Sequence, residues 1–124
     1  MTQQWDPESP IYLQLYQQVI KRILDGFIAE GEAVPSVRNV ASEYRINPIT
    51  ISKAYQMLQD ENIVEKQRGK GLFVKSGAKM RILARERDVF IKKEWPIVLQ
   101  QIERLQLKIE DLLTGTQMLT KEDK

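Results

Sequence analysis

Two short helices with their own start signals, then two strand-forming segments around a basic glycine turn, follow one another between Pro35 and Val74. That order predicts a mainly α chain with a small β-wing: an N-terminal winged helix-turn-helix followed by a short two-helix appendage. Upstream, Ser9-Pro10 reads as a cap and a first-turn proline. Tyr12, Tyr16, Val19, Ile20, Ile23, Leu24 and Phe27 then recur as the apolar stripe of a supporting helix. Residues 25–35 carry Gly26 and Gly31 and form a loop in which a short third strand is a candidate.

Ser36, directly after Pro35, is placed to cap a helix that carries Val37, Val40, Ala41 and Tyr44 on one side. A break follows at Arg45-Ile46. Asn47 offers a side-chain oxygen to the free amides of a new first turn, and Pro48 stands where its missing N–H costs nothing. Ile51, Ala54, Tyr55 and Leu58 keep helical spacing up to an end near Glu61, with Asn62 in the left-handed stop position that glycine usually fills. Ile63 to Gln67 and Leu72 to Lys75 are rich in strand formers, and Arg68-Gly69-Lys70-Gly71 between them makes a hairpin with a cationic tip.

A chain of 124 residues suits one small domain plus an appendage. It has no histidine and no cysteine, which removes acyl-transfer triads, thiolate chemistry and most zinc sites, and its acidic residues form no clustered pair for magnesium. The chain therefore reads as a non-enzyme with no cofactor and no metal. No run of about 18 apolar residues is present and the N-terminus lacks a basic-then-apolar signal pattern, so a soluble cytoplasmic protein without a membrane partner is expected. Bulk charge makes no case for nucleic acid: residues 1–74 carry eight Lys/Arg against nine Asp/Glu, and residues 75–124 carry eleven against eight. Position does, because Arg38, Arg45, Lys53, Lys66, Arg68 and Lys70 all lie on the elements that would approach a duplex.

Beyond the wing, Ser76-Gly77 loosens the chain, giving a division into residues 1–76 and residues 77–124. Ala78 opens a helical run with Met80, Leu83, Ala84, Phe90 and Ile91 among basic residues. Pro96 interrupts it, either by a turn at Glu94-Trp95 with Pro96 at the start of another helix, or by a kink. Val98, Ile102, Leu105, Ile109 and Leu112 follow at spacings of four, three, four and three, two heptads of an apolar seam. Packing within one chain is one use of such a seam; two short helices bury too little surface alone, which favours a homodimer. Residues 114–124 are expected to fray.

Residues 10–74 resemble the DNA-binding domain of the GntR family of bacterial transcription regulators, and the overall length is similar to its small YtrA-like branch. The resemblance is carried by Pro10-Ile11-Tyr12, by residues 31–38 (GEAVPSVR), by residues 47–55 (NPITISKAY) as the recognition helix, and by residues 69–74 (GKGLFV) as the wing. Three positions depart from the family pattern: Val34 stands for leucine, Asn62 for glycine and Leu72 for threonine. The resemblance implies double-stranded DNA as partner, with Arg38, Asn47, Thr50, Ser52 and Lys53 directed to the major groove and Arg68, Gly69, Lys70 and Gly71 to the minor groove. At Ser52 many relatives carry arginine. Physical chemistry agrees with that division, since a guanidinium grips guanine or phosphate bidentately and a glycine turn brings backbone into a narrow groove. The structural alternatives are a pairing of Arg38 with Glu43, backbone satisfaction by Thr50, and a plain reversal at the glycine turn. The resemblance further implies a homodimeric repressor of its own operon and of transporter genes, acting on a near-palindromic site. Phe90 and Trp95 are candidates for a small-molecule effector pocket, with a core role as the alternative. A different class is a winged helix serving as a protein-interaction module in a larger complex.

Overall fold

The computed structural model describes residues 5–122, with side chains described through residue 115. Pro10 precedes the first helix, α1 (Ile11–Leu24), as its N-cap, so Ser9 supplies no side-chain cap. Gln14 fastens the entry instead: its side chain accepts from the Asp6 N–H at 2.8 Å and donates to the Asp6 and Ser9 carbonyls at 2.7 and 2.8 Å. Leu15, Tyr16, Val19, Ile20 and Ile23 form the buried face of α1. Phe27, expected on that stripe, is 76% exposed. The helix ends at Leu24 and Gly26 turns the chain at φ 86°, so helical spacing no longer governs position 27 and Ile28 takes the buried place.

Helix α2 (Val37–Tyr44) starts where the Ser36 hydroxyl accepts from the Asn39 N–H at 3.1 Å. It stops at Arg45, which takes the left-handed conformation at φ 56°. Helix α3 (Pro48–Asp60) starts the same way, Asn47 Oδ1 accepting from the Ile49 N–H at 2.9 Å, and Pro48 fills the first position. Ile51, Ala54, Tyr55 and Leu58 turn inward and are buried. At its end Asn62, φ 61°, donates to the Gln59 carbonyl at 3.0 Å and Ile63 donates to the Leu58 carbonyl at 2.9 Å. These two bonds close the helix in a Schellman motif, with asparagine in the glycine place. The Tyr16 hydroxyl donates to the Glu61 carboxylate and ties α1 to this end of α3.

Strands β1 (Val64–Gln67) and β2 (Gly71–Val74) pair antiparallel, Val64 opposite Val74 and Gln67 opposite Gly71. The third strand is realised as a bridge between Ala33 and Phe73. Gly31 and Val34 donate to the carbonyls of Val74 and Leu72 at 2.8 and 2.9 Å. The segment before α2 is thereby stitched to the wing. Helix α4 (Ala78–Val89) begins inside the same core, Ala78 and Ile82 being at most 1% exposed. The compact first unit consequently ends at Ala84, beyond the 76/77 division expected from Ser76-Gly77. Burial of Ile82 contributes about 1.5–3 kcal/mol to holding that root in place. Met80, read as apolar stripe, is 66% exposed.

The second unit starts at Arg85 and comprises the end of α4, a π-helical turn (Phe90–Glu94), α5 (Trp95–Arg104) and α6 (Ile109–Glu122). Pro96 makes no turn. Glu94 and Trp95 both stay right-handed helical, and the Trp95 N–H reaches the Phe90 carbonyl, five residues back. A widened turn in this place absorbs the hydrogen bond that proline cannot make. The break falls later: Leu105 caps α5, Gln106 is left-handed at φ 57°, and Leu107 donates to the Ile102 carbonyl at 3.0 Å. The two-heptad seam is therefore not one continuous stripe. Val98 and Ile102 lie on α5, Leu105 at its cap, and Ile109 and Leu112 on α6. The segment expected to fray continues as helix to Glu122, and residues 123–124 lie outside the described residues. No described residue of the second unit is buried, and no helix among the described residues is long and apolar enough to cross a membrane.

Candidate nucleic-acid interface

Val37 begins α2 and lines two shallow clefts that run along the same edge of the first unit. One is bounded by Arg38, Ala41, Ser42, Arg45, Ile46, Asn47 and Pro48, so it joins α2 to the start of α3. The other is bounded by Pro35, Ser36, Tyr55, Lys70, Gly71 and Leu72, so it joins the start of α2 to the wing. No acidic side chain lines either of them. The start of α2, the turn into α3 and the wing root thus form one contiguous surface carrying Arg38, Arg45 and Lys70.

Arg38 is exposed, and among the described residues no ion pair joins it to Glu43. Glu43 instead borders a separate cleft with Arg22 and Tyr44. Arg45, counted above as a cation but not as a contact residue, stands in the depression with Arg38 and Asn47; its signal in the sequence was a charge beside a helix break. Asn47 uses its side-chain oxygen on the Ile49 N–H, and its two amide N–H donors are not engaged by that bond. Thr50 is half-buried, while Ser52 and Lys53 are exposed. Lys53 is also held: its Nζ lies 4.1 Å from the centre of the Tyr12 ring, a cation–π contact between α3 and α1. No local pattern joins positions 12 and 53.

At the wing, the Lys70 N–H donates to the Gln67 carbonyl at 2.9 Å, closing a turn whose third residue, Gly69, has φ 76°. A side chain there would be strained, which is why glycine occupies the tip. Gly71 has already left the turn and pairs with Gln67. Arg68, Gly69, Lys70 and Gly71 are all exposed. Beneath the cleft, the Tyr55 hydroxyl donates to the Pro35 carbonyl at 2.6 Å and fixes α3 to the entry of α2. Burial pushes the Tyr55 phenol up to about 12, so the group stays a neutral donor. Among the described residues no group of His, Cys, Asp or Glu could hold a metal ion. Phe90 and Trp95, in the second unit, stack with ring centroids 6.3 Å apart and planes inclined by 29°.

A capped helix pair carrying an acid-free cationic edge, with a glycine-tipped hairpin at its flank, defines a winged helix protein of the DNA-binding class. Comparison with known proteins makes this specific. The family model of bacterial regulatory proteins of the gntR family matches residues 11–74, and the chain belongs to that family. It is 31% identical over 120 residues to YhcF of Bacillus subtilis, an HTH-type transcriptional regulator, covering 97% of this chain and 98% of YhcF. It is 42% identical over 82 residues to the HTH-type transcriptional repressor YtrA of the same organism, covering 64% of this chain and 63% of YtrA. Among solved structures, a GntR family transcriptional regulator from Listeria monocytogenes superposes with a TM-score of 0.74 at 27% identity, covering 92% of this chain and 98% of that one. The family consists of DNA-binding transcription regulators and not of enzymes.

Proposed function

We propose that this chain is a cytoplasmic homodimeric repressor that occupies a near-palindromic operator and controls its own operon together with transporter genes. The observation that carries the reading is the contiguous acid-free edge formed by α2, the start of α3 and the wing. Arg38, Asn47, Thr50 and Ser52 serve the major groove, with Arg45 beside them, and Lys53 acts from its seat on Tyr12. Arg68 and Lys70 serve phosphates at the minor groove, where Gly69 and Gly71 let backbone approach. Repression is supported by the likeness to YtrA, itself a repressor. Dimerisation is supported by the second unit, where Val98, Ile102, Leu105, Ile109 and Leu112 are not buried among the described residues. Residues 77–124 are assigned to assembly, with the root of α4 shared with the DNA-binding unit. Phe90 and Trp95, which stack on one another, are the candidate site for a small-molecule effector, with a purely structural role as the alternative.

The test is a titration of the full chain onto duplex DNA from upstream of its own gene and onto random duplex, at several salt concentrations. Arg38→Ala is expected to lose about 1–3 kcal/mol on the specific duplex and to lose selectivity with it. An Arg38→Ala protein that is folded and keeps wild-type affinity and preference would overturn the assignment. Absence of salt-dependent duplex binding by the wild type would point to a protein-interaction module.

A further inference from the structure

We infer that Ile49 reads a base, placing its side chain against the 5-methyl group of a thymine in the major groove. The inference rests on the DNA-binding reading above and adds to it a residue and a chemical group. Ile49 is the second residue of α3 and is 76% exposed. With the inward face taken by Ile51, Ala54, Tyr55 and Leu58, the outward stripe of α3 runs Ile49, Ser52, Lys53 and Gln56. Three of these are polar and one is a branched hydrocarbon. Among the described residues from α2 to the end of β2, Ile49 is the one exposed large hydrophobic.

Its surroundings separate it from an ordinary stray apolar residue. A β-branched side chain here gains no packing within the chain and is a poorer helix former than alanine or leucine. The other exposed apolar side chains of the chain lie elsewhere, most of them in the second unit. Ile49 stands next to the Asn47 cap and within one turn of Thr50 and Ser52. The N-terminal turns of a recognition helix are the part that meets base edges. Of the four bases in the major groove, thymine alone presents a hydrocarbon group, and an apolar side chain is its complement. An isoleucine has no donor or acceptor, so the thymine methyl is the feature it can select.

The experiment takes the full-length protein, selects a binding duplex from a randomised pool, and then replaces each thymine of the selected half-site by deoxyuridine, which removes the methyl and nothing else. Wild type is expected to lose about four-fold in affinity at one thymine per half-site, the scale of one buried methyl group. Ile49→Ala should bind the thymine and deoxyuridine duplexes equally, and Ile49→Val should keep part of the discrimination. Because the side chain is exposed, both variants should unfold at the wild-type temperature. A selected half-site with no methyl discrimination, or an Ile49→Ala protein that retains it, overturns this inference alone. A pool from which wild type selects no sequence overturns the DNA-binding reading and this inference together.

Discussion

In the first unit Ile20, Ile51, Leu58 and Ile82 are almost fully withdrawn from solvent, whereas in the second Ile97, Leu105 and Leu113 are each more than half exposed. Both units are rich in apolar side chains at helical spacing. They differ in what covers those side chains: α1, α2, α3, the root of α4 and the hairpin enclose one core, while among the described residues of the second unit none is buried. A helix whose apolar face stays open draws its stability from association. The first unit therefore closes its core within one chain, whereas the apolar side chains of the second stay open, as the dimer proposed above would require.

The sharpest test of that contrast is Leu58→Ala. Leu58 is fully buried between α3 and its neighbours, and truncation should cost about 2–5 kcal/mol of unfolding free energy, read by denaturant titration. A loss below about 1 kcal/mol would show that the first unit does not enclose a close-packed core.

A second test acts on the open faces. Val98→Asp with Leu112→Asp should leave the unfolding of the first unit unchanged and make the chain monomeric in sedimentation. Affinity for a two-half-site duplex should then fall by about a hundredfold or more, because linked binding is lost. A double variant that remains dimeric would break the comparison.

The smallest effect expected is at Tyr55. Tyr55→Phe removes the donor to Pro35 and should cost about 1 kcal/mol. The phenol is raised in the fold from 10.0 to about 12, so the stability it contributes is fully present below the lower value and is lost as pH rises through the upper one. Alkaline titration of unfolding should show that loss in wild type and not in Tyr55→Phe. Equal alkaline profiles would assign the shift elsewhere.

Much of the first unit was legible because its signals are local. Ser36, Asn47 and Asn62 announce helix ends within a few residues of the bonds they make, and the turn at Gly69 stands where its flanking strand formers require it. What escaped depends on partners distant in sequence or on backbone states without a residue signature. Lys53 reads as a free cation until Tyr12 is folded beside it. Ala78 and Ile82 look like the start of an appendage until the core reaches them. The end of α5 falls at a glutamine in the left-handed region, with no glycine or proline to mark it, so the seam looked unbroken. The proline that did look like a break is carried through by a π turn.

The root of α4 is tied down by groups from far upstream. Glu30 accepts from the Gly77 and Lys79 N–H groups at 2.9 and 3.1 Å, and the Arg81 guanidinium donates to the Asn62 carbonyl at 2.7 Å. Those amide bonds hold the Glu30 carboxyl below its ordinary value. Its contribution is therefore complete above the ordinary carboxylate range and fades as pH falls through the depressed value. A carboxylate 47 residues away in the chain reaches the first turn of α4 only after the segment between them has folded back, so that turn is expected to be completed late. Glu30→Gln should accordingly speed unfolding while leaving the refolding rate near wild type. A slowed refolding limb with unchanged unfolding in stopped-flow chevrons would instead place the root of α4 in the folding nucleus.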